Sequence, residues 1–74
     1  MTPVLAALAP YGADLDPNGF IRKGGRVLGV RAVVQGKRLR MEGRDGGLLF
    51  SGGVTSAAVD AFVFKFWGWR VPVS

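Results

Sequence analysis

Ten of the 74 side chains are lysine or arginine against five aspartates or glutamates, and the cations are unevenly placed. Residues 20 to 44 hold Arg22, Lys23, Arg26, Arg31, Lys37, Arg38, Arg40 and Arg44 with Glu42 as their lone carboxylate, a local charge of +7 inside a chain whose total is +5. Seven of the ten cations are arginine. The planar guanidinium fork matches phosphate and carboxylate oxygens in pairs, so this bias points to recognition of an anion and not only to solubility. A solvated, screened surface is the bland alternative for any basic segment.

Other chemistries are poorly supplied. The chain has no cysteine and no histidine, which removes thiolate nucleophiles, disulfides, Cys/His zinc sites and the commonest general base. The carboxylates Asp14, Asp16, Asp45 and Asp60 have no spacing that sets two on one face of a regular element. No catalytic residues and no cofactor are therefore expected. Asp14-Leu15-Asp16-Pro17-Asn18-Gly19 follows the first half of a calcium-loop pattern, but Gly25 stands where the bidentate glutamate belongs and Arg22 where a water-bridging ligand belongs. A turn closed by Asp side chains accounts for these residues without metal. The pairs Gly24-Gly25, Gly46-Gly47 and Gly52-Gly53 fit hairpins and caps and lack phosphate-loop spacing.

Aromatic residues are the second resource. Phe62, Phe64, Phe66, Trp67 and Trp69 exceed what one face of a helix buries. Either some of them, Phe64, Trp67 and Trp69 foremost, meet a partner or a second copy, or the tryptophans fold back on Leu5 and Leu8.

The elements that must position these groups follow from pattern. One small domain spans 1–74, since the chain is too short for two cores. Thr2-Pro3 opens a short helix carrying Val4, Leu5 and Leu8 and stopping at Pro10. Asp14 to Gly19 has turn chemistry and is expected to be loop. Four strands then follow between glycine-rich turns: Phe20 to Lys23, Arg26 to Val34, Lys37 to Glu42 and Gly47 to Ser51. Two-residue turns pair Ile21 with Leu28, Val30 with Met41, Ala32 with Leu39 and Met41 with Phe50 on a core face. The other face shows Phe20 over Gly29, Arg22 by Val27, Arg31 opposite Arg40, and Val33 by Arg38, with the cations Lys23, Lys37 and Arg44 at its rims. Like charges directly opposite are unfavourable alone, so an anion is expected there. Val54 to Trp69 reads as helix or strand. Helix is favoured, with Thr55 as cap, Val59, Phe62, Val63 and Phe66 as the buried stripe and Gly68 as the stop, because the sheet's apolar face needs a cover. Beyond it, Trp69 to Val73 trails off or pairs at an edge.

The expected fold is α+β: a three- to four-stranded antiparallel meander covered on one face by a C-terminal helix, with a short N-terminal helix. Its architecture resembles the small DNA-binding modules at the head of tyrosine recombinases, related to plant AP2 domains, through Asn18-Gly19-Phe20-Ile21-Arg22-Lys23, Gln35-Gly36-Lys37-Arg38 and the Thr55-led helix over residues 18–67. It lacks their Phe-x-Thr entry to the helix, so the likeness is one of architecture.

The expected function is that of a non-enzymatic binding module. Phe20, Arg22, Arg31, Lys37, Arg38, Arg40 and Arg44 would dock on nucleic acid, a nucleoprotein or an acidic protein surface. The alternative is a small inhibitor of the type phages and mobile elements encode, such as an anti-CRISPR or polymerase inhibitor, covering part of a host complex. Self-association into an oligomer is possible on the aromatic surplus. The apolar run at the N-terminus lacks a basic leader and ends at Pro10, and Asp60, Lys65 and Arg70 interrupt the other apolar stretch. No membrane contact and a cytoplasmic location are expected.

Overall fold

The computed structural model describes residues 2–70. Helix α1 (Thr2–Leu8) places Pro3 in its first turn, where the missing N–H costs nothing. Its buried side is Val4, Ala7 and Leu8, so Leu5 faces outward instead of inward as the spacing suggests. Pro10 tightens the chain into a 3₁₀ turn (Ala9–Tyr11), closed by Gly12 at φ 71°, a conformation open to glycine without a Cβ penalty.

Five strands follow among the described residues: β1 (Ala13–Leu15), β2 (Phe20–Lys23), β3 (Arg26–Gln35), β4 (Arg38–Glu42) and β5 (Leu48–Gly53). They form one antiparallel sheet in chain order, β1-β2-β3-β4-β5. The α+β meander with a C-terminal helix matches expectation, with one more strand than the sequence pattern yields. The extra strand is β1, cut from a segment read as loop: Ala13 and Leu15 turn to the core while Asp14 turns out. Only Asp16 to Gly19 form the turn, in which Asp16 Oδ1 accepts the N–H groups of Asn18 and Phe20, each at 2.9 Å.

The register also departs from expectation. Gln35 pairs with Arg38 around a two-residue turn of Gly36 and Lys37, so Ala32 faces Met41, Val33 faces Arg40 and Arg31 faces Glu42. The turn sits one residue later than Gln35-Gly36, which moves every β3–β4 partner by two and leaves the faces unchanged. At the other end of β3, Leu28, Gly29 and Val30 together oppose Ile21, so Phe20 pairs with Arg31 and not with Gly29. Gly29, at φ 81°, supplies the left-handed residue this bulge requires. A second irregularity inserts Leu49 between the Met41–Phe50 and Glu42–Leu48 pairs.

Helix α2 (Ser56–Trp67) starts at Thr55, whose Oγ1 accepts the Ala58 N–H at 3.1 Å, and stops at Gly68, whose N–H donates to the Phe64 carbonyl. It buries Val59, Phe62 and Val63, whereas Phe66, the fourth member of the expected stripe, is 48% exposed. Both helices lie over the sheet face made by Ile21, Val30, Ala32, Leu39 and Met41, and the two sets share one core. Tyr11 O–H donates to Asp60 Oδ1 at 2.8 Å, tying the N-terminal segment to α2. No helix among the described residues covers the opposite sheet face. No helix among the described residues is long and apolar enough to cross a membrane, and the expected edge pairing of residues 71–73 lies outside the described residues.

Candidate nucleic-acid interface

The uncovered face is ordered in rows across the strands. One row runs Phe20, Arg31, Glu42, Leu48; the next Val33, Arg40, Ser51; the last Gln35, Arg38, Gly53. At the β1–β2 end, Asp14 stands opposite Arg22, which stands opposite Val27. Strand alternation puts these side chains outward because their neighbours Ile21, Ala32, Leu39 and Met41 are buried.

Two of the expected anion-binding arginines are already matched. Arg22 donates from Nε and Nη2 to Asp14 Oδ1 and Oδ2, both at 2.9 Å, in a paired fork. These hydrogen bonds hold the Asp14 carboxyl below the usual carboxylate range and raise the Arg22 guanidinium further. Arg40 is half-buried with Nη2 3.4 Å from Glu42 Oε2. The expected opposition of Arg31 to Arg40 is absent: Glu42 faces Arg31 across the strands, and Arg40 sits on the diagonal. The repulsion that argued for a bound anion is thereby removed.

The remaining cations have no carboxylate within ion-pair distance among the described residues. Arg31 is exposed beside the half-buried Phe20 and Val33. Arg38 is exposed and donates from Nη2 to the Ser51 hydroxyl at 3.0 Å, a neutral partner. Lys37 occupies the β3–β4 turn beyond it. Arg44, in the β4–β5 loop, lies across Gly29 so closely that a Cβ there would meet its Nε at 2.8 Å. Lys23 does not join this face. It reaches to the helix side and sets Nζ 4.3 Å from the Trp69 ring centroid.

The aromatics lie on the other side of the sheet. Trp69 stacks on Trp67 at 4.6 Å and tilts against Tyr11 at 5.9 Å, so both tryptophans pack half-buried against the core. The fold-back is therefore onto Tyr11. Phe64 is 52% exposed, with Arg70 over its ring. The arginine face and the aromatic surface do not form one footprint.

Asp14 is the site residue that sequence reasoning missed. Its signal was present in the alternation Ala13-Asp14-Leu15, two apolar residues flanking a polar one ahead of the turn. With Asp14 held by Arg22 and Asp16 closing its own turn, the calcium-like segment has its carboxylates committed, and no cluster of three potential metal ligands occurs among the described residues. No family model matches the chain, and comparison with curated proteins and with solved structures found no match.

Proposed function

We propose that this protein is a binding module whose open sheet face docks on the phosphate backbone of nucleic acid. The observation carrying this reading is the charge pattern of that face: Asp14 and Glu42 lie within ion-pair distance of Arg22 and Arg40, and, although Glu42 also faces Arg31 across the strands, no carboxylate among the described residues lies within ion-pair distance of Arg31, Lys37, Arg38 or Arg44. Phosphate is the anion whose repeat suits cations spread along a strand pair, and guanidinium forks bind it in pairs. Phe20 gives a ring beside Arg31 on which an unpaired base can stack. A face whose polar groups are mostly cations, with one ring, suits backbone contacts better than base edges, so binding is expected to be tolerant of sequence. Fluorescence anisotropy with mixed-sequence single- and double-stranded oligonucleotides over a salt series tests this. A steep loss of affinity with salt is expected, and no binding at low salt rejects the proposal.

The second reading is an inhibitor that covers a host protein complex. The half-exposed Phe64 and Phe66 favour it, because exposed rings anchor protein interfaces. Recovery of one stoichiometric partner from a nuclease-treated lysate, lost on Phe64→Ala and kept on Arg31→Glu, would establish it over the first.

A further inference from the structure

We infer that two copies of this chain join through the outer edge of β5, in antiparallel register about a two-fold axis normal to the sheet, to make one continuous ten-stranded sheet. The inference does not rest on nucleic-acid binding. β5 (Leu48–Gly53) ends the strand order, so the backbone N–H and C=O groups on its far side have no strand to pair with among the described residues. Such edges are ordinarily guarded by lysine, proline or an inward charge. β5 carries none of these three, since no charged residue and no proline occurs from Gly46 to Val59, and its one irregularity is the extra residue at Leu49. The opposite edge, β1, is only three residues long and carries Asp14.

The side chains along β5 fit the same conclusion. Leu48 and Leu49 are 55% and 43% exposed, and between β5 and α2 runs a groove of about 500 Å³ lined by Leu49, Phe50, Ala61, Phe62, Phe66 and Lys65. An uncharged strand beside an apolar groove calls for an occupant that is itself an uncharged strand beside an apolar surface. A second copy supplies both, because a two-fold contact sets the same patch against itself. The symmetry keeps both α2 helices on one side, facing each other across the axis, with Lys65 able to lay its stem on the groove and keep its ammonium in water. A stable dimer takes about 800 Å² per partner, roughly a sixth of the 4646 Å² surface of this chain. A domain of this size without cysteine for a disulfide also gains from such a partner. With neighbouring strands about 4.8 Å apart, the two β4 strands would lie about 14 Å from one another, their arginines on the same open face.

Sedimentation equilibrium on nuclease-treated protein, from about 5 to about 500 µM, tests the association. A monomer–dimer equilibrium is expected that tightens as salt rises from about 0.05 to 0.5 M, because each copy carries +5, whereas phosphate binding weakens over the same range. Leu49→Lys, which guards the edge at an exposed position, is expected to weaken the dimer at least about tenfold with an unchanged circular dichroism spectrum. Amide exchange of the wild type gives an independent readout: residues 48–53 are expected to gain protection with concentration. A monomer at every concentration, a dimer that Leu49→Lys leaves intact, or concentration-dependent protection confined to other residues would overturn the inference.

Discussion

Substituting Asp14 by asparagine should make the protein bind nucleic acid more tightly, and the structure sets by how much. With Asp14 in place, Arg22 is held by two 2.9 Å hydrogen bonds, and four cations of the open face, Arg31, Lys37, Arg38 and Arg44, have no carboxylate within ion-pair distance among the described residues. If each neutralises one phosphate, the slope of log affinity against log salt is about −3.6 on duplex DNA, so affinity falls roughly 150-fold between 50 and 200 mM salt. Asp14→Asn releases Arg22 as a fifth contact. The slope becomes about −4.5 and the fall roughly 500-fold, with binding tighter by about 15-fold at 50 mM and about 4-fold at 200 mM. Anisotropy titrations at four or more salt concentrations measure both quantities. Asp60→Asn is the control, since it changes net charge equally but on α2, where Asp60 accepts the Tyr11 hydroxyl. The Asp14→Asn, Arg22→Ala double variant should return to the wild-type slope. If Asp60→Asn steepens the slope as much as Asp14→Asn, binding follows total charge and the argument from this face is wrong.

Three further outcomes follow from local geometry. Thr55→Ala removes the acceptor of the Ala58 N–H and should cost about 1 kcal/mol, seen as a fall of roughly 4–8 °C in Tm. Gly29→Ala places a Cβ at φ 81° and 2.8 Å from Arg44 Nε; it should cost about 1–2 kcal/mol in denaturant unfolding, of which Arg44→Ala in the same chain recovers only the steric part. Burial first, then the hydrogen bond to Asp60, raises the Tyr11 phenol above its ordinary 10.0, so the folded state keeps a proton that the unfolded chain loses. The stability linked to Tyr11 should therefore be full below pH 10 and decline as pH rises through the raised folded value, while Tyr11→Phe, destabilised by about 1 kcal/mol at neutral pH, should lack that alkaline phase.

What the amino-acid pattern made legible was decided locally. Thr55 and Gly68 bound α2 because each acts within one turn of chain, and the two sheet faces separated because alternation survives any register shift of two. Partner identity is not local in this sense. The β3–β4 turn can close on Gln35-Gly36 or on Gly36-Lys37, with the same glycine at positive φ, and only the second sets Glu42 against Arg31. At Gly29 the signal was available, since a lone glycine inside a strand of valines and leucines marks a bulge; treating it as an ordinary strand residue displaced Phe20 from Arg31. β1 was hidden because the turn residues Asp16 to Gly19 outweigh a strand of three.

The corrected register changes which charges the function can rest on. A clash between Arg31 and Arg40 would have concentrated the demand for an anion at one point. With Arg40 matched by Glu42 and Arg22 by Asp14, the cations without an ion-pair partner among the described residues stand apart: Lys37 and Arg38 at one end of β4, Arg31 opposite Glu42 at its other end and Arg44 past that end. From Arg38 to Glu42 an extended strand covers about 14 Å, and the turn and loop carry the span to about 20 Å, close to six base-pair rises of duplex. Cations spaced this way suit a chain of phosphates better than a single bound anion, and they suit a backbone that is followed along its length better than a base that is read. Loss of any one of them should then weaken binding by a similar factor and lower the salt slope by about one, with no position dominant.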